Sequence, residues 1–282
     1  MEFRRYDDAN DFYKRAERFL TGHEAEHNLL LGICAGVIAH PERQEHPPYL
    51  ATVEAGDEIV AAVVMTPPRG PVLSRVDAPE ALPLLVDDLC RAYPALPSVL
   101  GPAGVSGAFA DLWRRATGRT YRQGVAERIY QLDAVTPVSG VLGVLRRATE
   151  ADRALAVARA AAFQREALGD DDPRTAARMV DVRLGGGTDS GLYFWDAGQP
   201  VSLAGYSGPT PHGIRVGPVY TPPAQRGKGY ASACVAALSH LLLDGGRAYC
   251  FLFTDVSNPT SNHIYQDIGY QPVCDVDEYR FL

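Results

Sequence analysis

One order of elements runs twice through this chain of 282 residues, and that duplication narrows the folds open to it. "FRRYDDANDFYKRAERFL", from Phe3, reads as a short strand, a polar helix start with an acidic residue nearby, and a helix. "LRRATEADRALAVARAAAF", from Leu145, reads the same way. A hairpin signal follows in each half. The first is "YLATVEAGDEIVAAVVM", turning at Gly56-Asp57, and the second is "GLYFWDAGQPVSLAGYS", turning at Ala197-Gly198. Each half then passes through a helix, a strand, another helix and closing strands. The repeat is too long for a solenoid and long enough for a core of its own. "LDAVTPVSGVLG", with Pro137 and Gly140, predicts the link. We therefore expect two tandem domains of the α/β (α+β) class, spanning 1–136 and 141–282.

The most specific stretch is "AQRGKGYASACVAAL" at residues 224–238. Before it, "GIRVGPVYT" (213–221) reads as a strand, and Pro222-Pro223 ends it because proline has no N–H for a sheet. After it, Ala231, Val235, Leu238 and Leu242 fall at helical spacing, with Gly245-Gly246 as the stop. A helix start carries unpaired N–H groups and partial positive charge, and so can hold a phosphate. Gly227 and Gly229 remove the Cβ from such an approach, and Arg226 and Lys228 add charge. Two commoner phosphate motifs fail. A Walker loop needs glycine where Pro222 stands and Ser or Thr where Gly229 stands. A dinucleotide fingerprint needs Gly or Ala at Ser232 and normally opens the first βα unit. Taken alone, the stretch also reads as an exposed basic turn.

Composition excludes other classes. At 46% hydrophobic and 22% charged residues the chain is an ordinary globular one. A net charge of −7 argues against a general nucleic-acid partner. No apolar run reaches the roughly 18 residues that span a bilayer, and the N-terminus has no signal-peptide core. Cys34, Cys90, Cys234, Cys250 and Cys274 form no CxxC pair, so reduced thiols and a cytoplasmic location are expected.

Further residues give the turn a frame. Gln225, Arg226, Gly227, Gly229 and Ala231 are followed, one strand later, by Asn258, Ser261, Ile264, Tyr265, Gly269 and Tyr270. This order resembles the GNAT (GCN5-related N-acetyltransferase) superfamily, closely over 205–282 and less closely over 143–204. The first half matches in layout only. The resemblance implies two GNAT-like acyl-CoA N-acyltransferase domains, each a mixed, mostly antiparallel central sheet flanked by helices. It implies acetyl-CoA as co-substrate, its arm lying against Val219, Tyr220 and Thr221. The amides of Arg226, Gly227, Lys228, Gly229, Tyr230 and Ala231 would cradle its pyrophosphate. Asn258 and Ser261 would bond the cofactor or cap a helix. An amide near Val219 or Tyr220 would face the oxyanion, and Tyr265 would protonate the leaving thiolate, since a phenol keeps its proton at neutral pH. Glu166 and His212 are candidate bases. The acceptor would be a primary amine of a small molecule or a protein.

The first half lacks the glycine turn. It reads "PVLSRVDAPEALPLL" there, and Trp113 stands near the place of Tyr265, where an indole cannot act as that acid. We expect this half to bind no cofactor. Two rivals remain. A non-catalytic acyl-CoA sensor would keep the turn and transfer nothing. "HEAEH", residues 23–27, matches the H-E-x-x-H zinc pattern, but the extended form fails at Leu30 and Ile33 and only Glu45 suggests a third ligand. No metal is therefore expected.

Overall fold

The computed structural model describes residues 1–169 and 171–282. The chain divides into two compact units: Met1–Ile129 with Val273–Leu282, and Tyr130–Pro272. This division differs from a linear split at 136–141, because the last strand belongs to the first unit. The reason is backbone pairing, which chain order does not reveal.

In the first unit, strands β1 (Glu2–Tyr6), β2 (Tyr49–Ala55), β3 (Glu58–Met65) and β4 (Val72–Leu73) pair antiparallel in that order. Then β4 pairs parallel with β5 (Ser98–Pro102), through Val72 opposite Leu100. The C-terminal strand, Gln271–Phe281, lies antiparallel to β5, with Tyr279 opposite Val99, and β6 (Tyr121–Leu132) follows it. Side chains alternate across a strand, so a strand buried on both faces reads as a continuous apolar run. Leu50, Ile59, Ala62 and Val64 pack with helices α1 (Ala9–Thr21) and α2 (Asn28–Ala39). Tyr49, Ala51, Val53, Ala61 and Val63 pack on the other face with α3 (Ala81–Ala92) and α4 (Ala103–Thr117).

The second unit repeats the plan. Strands β7 (Val144–Arg147), β8 (Gly191–Asp196), β9 (Pro200–Pro209) and β10 (Gly213–Tyr220) pair antiparallel, and β10 pairs parallel with β11 (Tyr249–Asp255). Helices α5 (Arg153–Phe163) and α6 (Pro173–Gly185) cover Leu192, Phe194 and Leu203. Helices α7 (Tyr230–Asp244) and α8 (Pro259–Ile268) cover Trp195, Ala204, Ile214 and Val216. Each unit thus holds a mixed, mostly antiparallel sheet flanked by helices, as expected. Among the described residues no helix is long and apolar enough to cross a membrane.

The HEAEH segment is structural. It forms turns ahead of α2 rather than a helix carrying two ligands. His27 is fully buried, its Nδ1 3.0 Å from the Leu20 carbonyl and its Nε2 accepting from the Arg75 N–H at 3.2 Å. Both ring nitrogens are occupied, so no lone pair is left for a metal. Among the described residues no group of three or more His, Cys, Asp or Glu could hold a metal ion. Burial lowers the His27 pKa from 6.5 to about 4. The unfolded chain therefore binds the extra proton first as pH falls, and His27 supports folding above pH 6.5 and withdraws that support between 6.5 and 4. Urea denaturation at pH 7 and pH 4.5 is expected to show a loss of about 2 kcal/mol from this group. His27→Gln, which cannot titrate, is expected to flatten that part of the profile.

Candidate active site

The site in the second unit starts from a failure of strand pairing. Only Gly213, Ile214 and Arg215 of β10 pair with β11, opposite Tyr249, Cys250 and Phe251. Beyond Arg215 the two strands part. On its other edge β10 stays paired to β9, but an extra residue intervenes between Val216, opposite Tyr206, and Val219, opposite Ala204. Such a bulge bends a strand and re-aims its side chains. Gly217, at φ +148, occupies it. Val219, Tyr220 and Thr221 therefore follow a kink, on the stretch of β10 that β11 no longer covers.

The chain then turns through Pro223–Gln225 and enters α7. Gly227 and Gly229 both have φ +75, the left-handed region that side chains resist. Nothing lies within 4 Å of where a Cβ on Gly227 would sit, while one on Gly229 would stand 2.8 Å from Val141 Cγ2. Gly229 is the N-cap of α7 and offers no side chain to cap it. The first amide satisfied by the helix is that of Ala233, which donates to the Gly229 carbonyl. Among the described residues, the amides of 227–232 donate to no backbone carbonyl and no side chain. Six consecutive donors, at an exposed or half-buried helix start, make a concentrated site for an anion.

Arg226 does not join that run as expected. Its amide donates to the Pro223 carbonyl at 3.2 Å. Its side chain turns back, with Nε on the Thr221 carbonyl at 2.9 Å and Nη2 on Glu166 at 2.5 Å. The second Glu166 oxygen accepts from the Tyr220 hydroxyl at 2.8 Å. Lys228 also folds locally, onto Gln225 Oε1 at 3.1 Å. Glu166 lies in a single π-helical turn, Gln164–Leu168, that extends α5. The guanidinium of Arg226, helped by Tyr220, holds the Glu166 carboxyl below the usual range. With both oxygens engaged, it is a poor acceptor for a further proton. The Thr221 hydroxyl meets Ser202 at 2.8 Å. His212, the other candidate base, is exposed in the turn before β10, at the opposite end of that strand from Tyr220.

Tyr265 lies on α8, nine-tenths buried in the cluster that includes Val216, Ala233 and Leu252, with Val219 and Tyr230 packed against it. Burial pushes its pKa up to about 12. Its ring meets Tyr270 edge-on at 6.0 Å. Among the described residues its hydroxyl has no hydrogen-bond partner. Asn258 caps α8, its Oδ1 accepting from the Ser261 amide at 3.1 Å. Of the two uses foreseen for this pair, the structure contains the cap. Asn262, which sequence reading passed over, holds the turn between β11 and α8. Its Nδ2 reaches the Asp255 and Asn258 carbonyls at 2.9 and 2.7 Å, and its Oδ1 accepts from the buried Tyr130 hydroxyl at 2.9 Å.

The first unit closes the matching places. Ala81 and Leu82, which open α3, already donate to the Ala78 and Pro79 carbonyls. An acid, Glu80, precedes that helix. At Gly70 a Cβ would fall 2.1 Å from the Ser98 carbonyl oxygen, so the approach to β5 is filled by backbone. Trp113 is fully buried.

Residues 200–281 match the family model described as FR47-like protein. No curated protein matches in sequence. A Drosophila protein of solved structure superposes with a TM-score of 0.70 at 13% identity, over 99% of this chain and 98% of its own. A GCN5-related N-acetyltransferase from Sphaerobacter thermophilus gives 0.62 at 15%, over 99% and 95%. A tandem GNAT protein from the clavulanic acid biosynthesis pathway gives 0.53 at 14%, over 100% and 98%. At such identities the likeness is one of fold.

The cap on α8 can be measured by itself. Asn258→Ala removes the acceptor of the Ser261 amide and is expected to lower stability by about 1 kcal/mol in chemical denaturation. Asn258→Asp, which keeps an acceptor there, is expected to lose much less.

Proposed function

From the tandem GNAT fold of this chain, we propose that it moves an acetyl group from acetyl-CoA to a primary amine, in the second unit. The observation that carries this is the run of unsatisfied amides from 227 to 232. A helix start leaves its first amides to water or to a ligand, and the glycine turn here adds further ones to that run. A pyrophosphate suits six donors at a helix N-terminus, in a chain whose net charge is otherwise −7. The uncovered edge of β10 suits the amide-bearing arm of the same molecule, which can pair with it like an added strand.

The chain's own residues then divide the work. Amides 227–232 hold the diphosphate, with Arg226 acting through its brace on Thr221 rather than through its own N–H. The Val219 or Tyr220 amide polarises the thioester oxygen as charge develops there. Tyr265 keeps its proton until the thiolate leaves. Burial pushes its pKa up to about 12, so the phenol is protonated throughout the neutral range. A thiolate leaving beside the buried phenol is also poorly solvated, which favours its taking the proton. Glu166 serves as the brace that sets Arg226 and Tyr220 at the mouth of the cleft. Water completes the removal of the amine proton. The first unit, whose helix amides and β5 approach are already occupied, binds no cofactor, so one CoA binds per chain.

Calorimetry with CoA tests the cradle. Gly227→Asp and Gly229→Asp are expected to abolish binding, through a side chain forced into the left-handed region and through like charge. Normal affinity in both would remove the cradle. Tyr265→Phe is expected to lower turnover by about 10²-fold or more while CoA affinity stays within a factor of two or three. A wild type that binds CoA yet consumes no acetyl-CoA with any amine would be the sensor instead.

A further inference from the structure

Arg183, near the end of α6, is a cation without a counter-ion among the described residues. Its Nη1 donates to the Met179 carbonyl at 3.2 Å, and its Nη2 to the Ser207 hydroxyl at 2.6 Å and the Gly217 carbonyl at 3.4 Å. All three acceptors are neutral. Its Nε is sealed from solvent with no partner at all. Among the described residues no carboxylate pairs with it. The charged neighbour that acts on it is a second cation, Arg215, on β10 opposite Ser207. Burial and Arg215 lower its pKa to about 10, so it remains charged at neutral pH.

Four other arginines bonded across this unit meet carboxylates. Arg146 is held by Asp152 and Asp196, Arg153 by Asp181, Arg226 by Glu166 and Arg247 by Asp189. Buried charges are ordinarily paired, because an unpaired one keeps its full desolvation cost. Arg183 breaks that pattern where it touches the β10 bulge. Gly217 lies two residues before Val219, so the guanidinium reaches within roughly 7 Å along the strand of the amide assigned to the thioester oxygen. It lies on the side of the sheet covered by α5 and α6, away from α7 and α8. Arg183 as a residue is half-buried, so part of it stays in reach of solvent.

We propose that Arg183 receives a carboxylate of the acceptor, so that the amine acetylated here belongs to an amino acid or a similarly compact amino-carboxylate. This rests on the acetyltransferase reading of the same site. The two-residue offset between Gly217 and Val219 suits a short acceptor. A guanidinium recognises a carboxylate through charge-assisted N–H donors, and the three acceptors Arg183 now meets are all neutral. Pairing with the ligand would supply the counter-charge that the fold withholds.

The test uses the full chain and a panel of N-acetylamino acids, each beside its neutral amide, titrated by calorimetry. At least one acid is expected to bind ten-fold or more tightly than its amide. Arg183→Met is expected to erase that difference while raising the melting temperature, because it removes a buried unpaired charge. A merely structural arginine would lower the melting temperature on replacement. Equal binding of acids and amides, no binding of any acid, or a preference that survives Arg183→Met would each overturn the assignment. Should Arg183→Met fail to fold, the wild-type comparison of acid with amide decides alone. CoA titrated in parallel reports on the cofactor reading separately: loss of CoA binding sinks the transferase, whereas loss of acid selectivity sinks only the carboxylate site.

Discussion

Parallel pairing between β10 and β11 stops after three residues, and the candidate site depends on that early stop. A sheet normally satisfies its own backbone. Here one strand is bulged away at Gly217 while it stays paired to β9 on its other edge. The result is a main-chain edge ending in a helix whose first amides are bare. Two kinds of unsatisfied donor, strand edge and helix start, thus come together within a dozen residues. The Glu166–Arg226–Tyr220 cluster fixes the turn that joins them.

The two units show what happens when the same plan does and does not keep that gap. Both alternate apolar side chains across two buried faces, and both carry a helix pair on each face. In the first, proline and acid precede α3 and nearby carbonyls take up its opening amides. In the second, glycines with positive φ turn the chain so that no carbonyl lies in reach. Packing is conserved in kind between them, while donor availability is not.

Local chemistry made much of this readable beforehand. Hairpins at Gly56-Asp57 and Ala197-Gly198, the glycine turn and the stop at Gly245-Gly246 are each set by a few neighbouring residues. What escaped depends on contacts distant in sequence. Glu166 meets its partners 54 and 60 residues away, so its pairing left no local mark. Asn262 bonds Tyr130 across 132 residues. Arg183 lacks any periodic or motif signature, because its distinction is a missing partner. The bulge at Gly217 was hinted at only by a glycine and a proline inside a strand.

The placement of Val273–Leu282 in the first unit has a consequence for biosynthesis. That unit's sheet includes a strand made only after every residue of Tyr130–Pro272 has been translated. The earlier part of the chain cannot complete its β5 edge while it emerges, and the second unit can assemble before the first is finished. Folding order therefore runs against synthesis order for this edge, and β5 is left for an interval as an open template for wrong partners.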